Sequence, residues 1–197
     1  MIAIIDSGGA NITSVKFALE RLGKKSILTT DPKIIQSADH VLLPGVGSAH
    51  VAMKQLRKHG LIEVIKNLQQ PLMGICLGMQ LLFRFSNEGS TSLLNIVSNS
   101  CIKFEPSKTL SVPHMGWNQI NFCSEHPLTF RLKNGDNFYF VHSFYAPVSK
   151  QTVARCNHGV DFTAIVAKNN FVGCQFHPER SGTVGAQILK NFVELTF

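Results

Sequence analysis

The feature that most restricts the fold of this chain is one cysteine placed between a short apolar run and the beginning of a helical pattern. Residues 72–75 predict a buried strand, because the run is short, contains no polar residue and follows Pro71. Leu77, Leu81 and Leu82 then recur at helical spacing. Cys76 is therefore predicted to lie at the tip of a sharp strand-to-helix turn.

Two glycines support a chemical role for this turn. Gly74 and Gly78 lie two residues to either side of Cys76, and the tip of such a turn is strained and crowded, so its neighbours must be small. The helix that follows directs its N–H groups and positive dipole end at the sulfur, which favours the thiolate. The pattern predicts a nucleophile, by analogy with the Gly-x-Ser-x-Gly turn of hydrolases. The alternative is a buried structural cysteine, the commoner fate of a free cysteine.

Composition bears on domain organisation and compartment. The 197 residues, 44% of them hydrophobic, predict a single domain spanning 1–197. Five cysteines without a Cys-x-x-Cys pair argue against a disulfide framework and against a structural zinc site. The apolar run at the beginning is far too short for a signal or membrane segment and has no basic residues before it. We expect a cytoplasmic protein.

The positive charge of the chain allows three interpretations. A formal net charge of +7 would suit nucleic-acid binding, but the lysines and arginines are scattered and form no run with interleaved aromatic residues. No nucleic-acid partner is therefore predicted. A basic face could instead attract phosphorylated metabolites or an acidic partner protein, and a merely solvated surface is the third interpretation.

The first half of the chain alternates strands and helices. Strands are predicted at residues 2–5, 26–29, 41–43 and 72–75. Helices are predicted from the cap Asn11 to Gly23, after Asp31, and on either side of Gly60. This alternation is typical of βαβ units and predicts a parallel sheet with helices on both faces.

The second half consists mainly of strand-like runs. They occupy residues 118–122, 137–143, 152–156, 162–167 and 171–176, and a final helix is predicted at about 183–194. Asn134-Gly135 and Asn169-Asn170 provide turns of the type that closes hairpins. No structure is predicted for residues 86–111, which are rich in Ser and Asn.

One of the eight histidines stands out as a candidate base. His177 follows a predicted strand directly, and Pro178 favours an extended backbone at His177. In an extended segment the side chains of His177 and Glu179 point to the same side. The carboxylate could then hold the ring in one tautomer and stabilise the imidazolium that forms when Cys76 ionises. The alternative is a buried His–Glu pair with only a structural role.

A third motif of the candidate active site follows the strand predicted at residues 41–43. Pro44, Gly45, Val46 and Gly47 form a loop with two glycines around one valine. Such a loop can present consecutive backbone N–H groups to an anion, as an oxyanion hole does. Considered by itself, the segment could equally be an ordinary tight turn.

These motifs carry a family resemblance that spans the chain from end to end. Segments 44–47, 74–80 and 175–179 together resemble the class I glutamine amidotransferases. Four further segments are similar to the glutaminase subunits of imidazole glycerol phosphate synthase, an enzyme of histidine biosynthesis; they are residues 6–11, 113–118, 139–145 and 177–182. One departure is Ser7, where many relatives carry tyrosine, so the contacts of the first loop are left open.

The resemblance implies both a fold and a reaction. The fold is a flavodoxin-like α/β fold of three layers, with a mostly parallel central sheet, helices on both faces and an antiparallel C-terminal extension. The reaction is hydrolysis of L-glutamine to L-glutamate and ammonia. The ammonia passes to a cyclase subunit, a (β/α)8 barrel that forms a heterodimer with the chain and makes imidazole glycerol phosphate and AICAR. The resemblance implies no metal and no organic cofactor.

The resemblance also implies roles for individual residues. The implied catalytic triad consists of Cys76, His177 and Glu179. The implied oxyanion donors are at Val46, Gly47 and Leu77, and the implied substrate contacts are Gln80, Ser143 and Phe144. The implied partner-facing residues are Gly9, Asn11, Met115 and Trp117.

Activity of the isolated chain is expected to be low until the partner docks. Gly45 and Gly47 lack Cβ atoms, so the peptides around Val46 can rotate at low steric cost between two conformations, only one of which aims an N–H at the oxyanion. Docking of the partner could favour that conformation.

Three other functions remain open at this point. The chain could serve a different synthase of the same class, such as those that make anthranilate, guanylate or pyridoxal phosphate. It could be a γ-glutamyl hydrolase or protease with the same turn. It could also be a catalytically silent binding subunit, which the presence of all three triad residues disfavours.

Overall fold

The computed structural model describes residues 1–8, 12–108 and 110–196, so the predicted Gly9 contact and the predicted Asn11 helix cap lie outside the described residues. The strands are β1 (Ile2–Ile5), β2 (Ser26–Thr29), β3 (His40–Gly45), β4 (Leu72–Cys76), β5 (Phe85–Ser86), β6 (Thr91–Ser92), β7 (Ser100–Lys103), β8 (His114–Phe122), β9 (Asn137–His142), β10 (Phe144–Tyr145), β11 (Thr152–His158), β12 (Val160–Lys168) and β13 (Phe171–Cys174). The helices are α1 (Ile12–Arg21), α2 (Pro32–Ser37), α3 (Ala49–Lys58), α4 (Leu61–Lys66), α5 (Leu77–Leu81) and α6 (Gly182–Val193).

One large sheet organises the described residues, in the order β2-β1-β3-β4-β13-β12-β11-β8-β9. The pairs from β2 to β13 are parallel, and those from β13 to β9 are antiparallel. The predicted α/β class is confirmed, with one difference. The antiparallel strands continue the same sheet and make up half of its pairings, because β13 returns to the centre and pairs with β4.

The sheet separates two hydrophobic cores. In β1, Ile2 and Ile4 face one core whereas Ala3 and Ile5 face the other, as the alternation of side chains along a strand requires. Helices α1 and α6 cover the first face, and α2, α3 and α4 cover the second. Both faces are therefore buried, which explains why the central strands have no exposed polar side.

The helix predicted after Cys76 is present but short, and one predicted hairpin turn is wrong. The helix after Cys76 ends at Leu81, because the carbonyl groups of Leu82 and Phe83 accept hydrogen bonds from N–H groups of residues 95–97 instead of continuing the helix. The Asn134-Gly135 turn does not close a tight hairpin. It ends a longer connection between β8 and β9, and Asn134 folds back to accept the N–H of Phe122.

The stretch without a prediction contributes β6, β7 and part of β5 to a small second sheet, which has the order β10-β7-β5-β6. This sheet lies beside the end of β9, since β10 begins two residues after His142. In the part of the chain that the structure describes, no helix is long and apolar enough to cross a membrane.

Candidate active site

Cys76 lies at a strained strand-to-helix turn, as the sequence predicts. Its φ of 55° and ψ of −111° place a non-glycine residue at positive φ, which costs free energy and is typical of functional positions. The last residue of β4 is thereby turned out of the sheet, immediately before α5. Cys76 lines a cavity, although the residue is only 7% exposed.

Glycines make this turn sterically possible. A Cβ atom added at Gly74 would lie 2.5 Å from the carbonyl oxygen of Gly78, and one added at Gly78 would overlap the carbonyl oxygen of Leu43. A Cβ atom at Gly45 would lie 2.8 Å from the backbone nitrogen of Gly78. The obstacles are backbone atoms, which cannot move aside as a side chain can. Strands β3 and β4 and helix α5 therefore pack together without intervening side chains at these three points.

A cavity of about 410 Å³ opens above the sulfur. It brings together eight of the predicted site residues, whereas Glu179 lies directly behind His177. The residues that line the cavity are Val46, Gly47, Cys76, Leu77, Gln80, Glu88, Pro113, Val141, His142, Ser143, Phe144 and His177.

His177 and Glu179 form the predicted pair by a different local route. Residues Pro178–Arg180 form one 3-10 turn, not an extended segment, and this turn brings Nδ1 of His177 within 2.8 Å of Oε1 of Glu179. The Glu179 side chain has no solvent exposure. Nε2 of His177 is buried without a hydrogen-bond partner among the described residues, so the ring presents one nitrogen for chemistry.

The electrostatic environment favours a protonated His177. Burial would lower the pKa of His177, but the interactions of the ring with Cys76 and Glu179 raise that pKa to about 10. Cys76 and His177 line the same cavity. The arrangement therefore favours the imidazolium form of His177 at neutral pH.

The loop at residues 44–47 contributes Val46 and Gly47 to the wall of the cavity. Gly47 adopts a φ of 90°, at which a residue with a side chain is strained, although a Cβ atom there would meet no atom within 4 Å. Gly45 differs, because it belongs to β3 and packs on Gly78. The rotation predicted around Val46 is therefore restricted on the Gly45 side. Ser7, in the loop after β1, contacts the loop at residues 44–47. Its hydroxyl group donates a hydrogen bond to the carbonyl oxygen of Pro44 at 2.9 Å.

Gln80 lies at the base of the cavity with its amide nitrogen already engaged. Nε2 donates to the carbonyl oxygen of Phe144 at 2.8 Å and to Oε1 of Gln175 at 2.9 Å. Both amide protons are therefore used within the protein. A ligand could reach only the Gln80 amide oxygen, which accepts hydrogen bonds.

A buried histidine pair supports the same carbonyl group. Nδ1 of His142 lies 2.8 Å from the Phe144 carbonyl oxygen and must donate to it. Nε2 of a neutral His142 then accepts from Nδ1 of His114 at 3.0 Å, and Nε2 of His114 accepts from the Asn118 amide at 3.1 Å. Burial lowers the pKa of His142 to about 3 and the pKa of His114 to about 4. Both rings are therefore neutral at physiological pH.

Glu88 is a cavity residue that the sequence analysis missed. It lies in the Ser- and Asn-rich stretch, and its Oε2 accepts the N–H of Ala49 at 2.7 Å. The cavity walls otherwise contain no carboxylate among the described residues. Glu88 follows Cys76 by twelve positions without any repeating pattern between them, so no sequence signal indicated that the two would meet.

The predicted partner-facing residues that the structure describes lie on β8. Met115 is 62% exposed and Trp117 is 57% exposed, on the same face of the strand two positions apart. Among the described residues, no group of three or more His, Cys, Asp or Glu side chains is arranged to hold a metal ion.

Comparison with known proteins gives the family of the chain. The family model described as "Glutamine amidotransferase class-I" matches residues 3–195. The chain belongs to the class-I glutamine amidotransferase family. Within this family the chain is 50% identical over 193 residues to imidazole glycerol phosphate synthase subunit HisH of Pasteurella multocida, with 98% of this chain and 97% of the relative covered. It is 47% identical over 195 residues to the same subunit of Buchnera aphidicola, with 98% and 99% covered.

Two solved structures with low sequence identity share the fold. A glutamine amidotransferase from Thermotoga maritima has a TM-score of 0.66 at 19% identity, with 98% of this chain and 80% of the other covered. PurLQS from Thermotoga maritima has a TM-score of 0.71 at 17% identity, with 98% and 97% covered. The similarity to synthase subunits therefore places the chain in one branch of the family. The similarity to the two distant structures confirms the three-layer fold.

Proposed function

We propose that this chain is the glutaminase subunit of an imidazole glycerol phosphate synthase, and that it hydrolyses glutamine at Cys76. The observation that carries the proposal is the strained cysteine in one cavity with a histidine–glutamate pair. The full-length similarity to synthase subunits supports the choice of synthase.

The cavity suits a glutamine molecule. Its volume of about 410 Å³ is sufficient for a small amino acid, and Glu88 supplies a carboxylate on its wall. We assign Glu88 to the α-ammonium group of glutamine. The Gln80 amide oxygen and the backbone of Ser143 and Phe144 complete the contacts at the amino-acid end.

The first half-reaction breaks the amide bond of the side chain. The Cys76 thiolate forms a bond to the amide carbon, and the electron pair of the carbonyl moves onto oxygen. Backbone N–H groups near Val46 and Gly47 and at Leu77 stabilise this oxyanion, since Leu77 begins a helix whose first N–H groups have no helical partner. His177 gives its Nε2 proton to the departing nitrogen. The carbon–nitrogen bond breaks, ammonia departs, and the substrate remains bound to Cys76 as a γ-glutamyl thioester.

The second half-reaction returns the enzyme to its resting state. Neutral His177 takes a proton from water, the hydroxide attacks the thioester, and glutamate leaves as the Cys76 sulfur is released. Glu179 keeps Nδ1 of His177 protonated throughout and stabilises the imidazolium, as the acid of a catalytic triad does.

The ammonia serves a second subunit. We propose a cyclase subunit with a (β/α)8 barrel, which docks over the exposed Met115 and Trp117 and forms a heterodimer with this chain. The partner would then dock on β8. This strand pairs with β9, which contributes Val141 and His142 to the wall of the cavity.

A variant of the nucleophile tests this division of labour. In a complex reconstituted with such a cyclase, Cys76→Ala should abolish glutamine-dependent synthesis, while synthesis from added ammonium salt continues at the wild-type rate. Removal of a covalent nucleophile costs about a million-fold in well-studied hydrolases. Equal loss of both activities would contradict the proposal.

A further inference from the structure

Gln175 is a fully buried polar residue for which the mechanism above has no role. It follows β13, its side chain is 0% exposed, and its backbone N–H donates to the Ala164 carbonyl oxygen at 2.9 Å. Its amide lies between Gln80 and the sulfur of Cys76. A buried amide is costly unless its polar atoms are satisfied, so these two contacts need an explanation.

A backbone carbonyl group fixes the orientation of this amide. The Phe144 carbonyl oxygen can only accept a hydrogen bond, so the Gln80 atom 2.8 Å away must be its nitrogen. The second proton of that nitrogen points to an atom of Gln175 at 2.9 Å, which must therefore be Oε1. Nε2 of Gln175 is then the atom that faces the Cys76 sulfur, at 3.8 Å.

We propose that Gln175 is a catalytic residue that stabilises the Cys76 thiolate by donating an amide N–H to the sulfur, and that Gln80 holds this amide in the donating orientation. The proposal rests on the proposed function only in taking the thiolate as the nucleophile. Gln175 neither gains nor loses a proton. The S–H bond of Cys76 breaks, the proton goes to Nε2 of His177, and the amide N–H remains to compensate the charge on sulfur.

A neighbouring carbonyl group makes this donor necessary. The Val141 carbonyl oxygen lies 3.7 Å from the sulfur, where it can accept the thiol proton. Without an opposing donor, this oxygen would favour the thiol over the thiolate, because a carbonyl dipole repels an anion. The Gln175 amide supplies the opposing dipole from inside the protein, where a hydrogen bond to a charged group is stronger than in water.

Alkylation of Cys76 by iodoacetamide tests the proposal without any substrate. The reagent reacts with the thiolate, so the rate at low pH reports the thiolate fraction. The full chain would carry Cys123→Ser, because Cys123 is exposed and would react as well. Burial raises the pKa of the Cys101, Cys156 and Cys174 thiols, which keeps them unreactive. Mass spectrometry would follow modification of Cys76 across the pH range.

Gln175→Met removes the donor and keeps the shape of the side chain. We expect alkylation about tenfold slower below the midpoint of the pH profile, a midpoint about one pH unit higher, and an unchanged rate at the alkaline plateau. Gln80→Met, which leaves Gln175 in place without its orienting partner, should slow alkylation at least about threefold. This second variant carries the test if Gln175→Met fails to fold in a thermal melt.

Asn191→Leu is the matched control, because Asn191 is a buried amide that donates to the carbonyl groups of Leu128 and Phe130 away from the cavity. It should leave the alkylation profile unchanged. The proposal would be overturned if Cys76 in Gln175→Met were alkylated with the wild-type pH profile. It would also be overturned if Asn191→Leu shifted that profile as much as Gln175→Met does. Failure of the wild-type complex to use glutamine would instead refute the proposed function, and the alkylation profiles would be unaffected by that result.

Discussion

Acid is expected to destabilise this protein through His114 and His142, which are buried in their neutral forms. Burial lowers the pKa of His142 to about 3, and burial together with the neighbouring His158 lowers the pKa of His114 to about 4. In the unfolded chain both groups titrate near a pKa of about 6.5. Between these values the unfolded state binds protons that the folded state excludes, so stability is fully present above about pH 6.5 and falls as the pH falls.

The size of this effect follows from the two pKa differences. Each histidine that is protonated only in the unfolded state lowers the free energy of unfolding by about 1.4 kcal/mol per pH unit, or by about 3 kcal/mol at pH 4. His114 and His142 share a hydrogen bond, so they titrate as a coupled pair. We therefore expect the pair to contribute a loss of about 3 to 6 kcal/mol by pH 4, a large fraction of the stability of an ordinary domain.

Urea unfolding at several pH values measures this loss. His142→Asn removes one titrating ring while its amide can still donate to the Phe144 carbonyl oxygen. The variant should be less stable at neutral pH, but its stability should decline less steeply, by about 1.4 kcal/mol per pH unit. His50→Asn, at an exposed position, is the control and should keep the wild-type slope. An unchanged slope in His142→Asn would refute the reasoning.

Three further predictions concern the active site. His177→Ala should reduce glutaminase activity at least about tenfold more than Glu179→Gln, because His177 transfers protons whereas Glu179 orients the ring and stabilises its charged form. Steady-state kinetics of the complex would show the reverse order if the assignment were wrong. Glu88→Gln retains an acceptor for the Ala49 N–H but loses the negative charge. It should raise the KM for glutamine about 10- to 100-fold with a smaller change in kcat. An unaltered KM would show that Glu88 does not bind the substrate. Gly47→Val should lower the stimulation of glutaminase activity by the partner at least about tenfold while partner affinity, measured by titration, changes little; unchanged stimulation would place the switch elsewhere.

The residues of the site differ in how far the sequence could predict them. The position of Cys76 was predictable, because a strained turn needs small neighbours and Gly74 and Gly78 supply them next to it in the chain. Glu88 was not predictable, because it lies in the connection between β5 and β6, two strands of two residues each that have no recognisable period. Local patterns therefore indicate local geometry only.

The same limit applies to the buried polar groups. The ring of His114 stacks on that of His158, with ring centroids 4.1 Å apart, although forty-four positions separate them in the chain. Pairing of β8 with β11 brings them together, and no periodicity in either strand encodes which residues will face each other. The role of Gln175 depends likewise on Gln80, ninety-five positions earlier. The fold had to be known before these contacts could be identified.

The contact between the glycines of the turn and the end of β3 has a consequence for anyone who wishes to build this chemistry into another protein. Gly78 packs on the carbonyl oxygen of Leu43 and Gly45 packs on the nitrogen of Gly78, so the backbone that holds the nucleophile also positions the loop that would hold the oxyanion. A graft of the cysteine turn alone would leave that loop without its template. The smallest transplantable unit is two adjacent parallel strands with the loop and the short helix that follow them, copied together with their glycines.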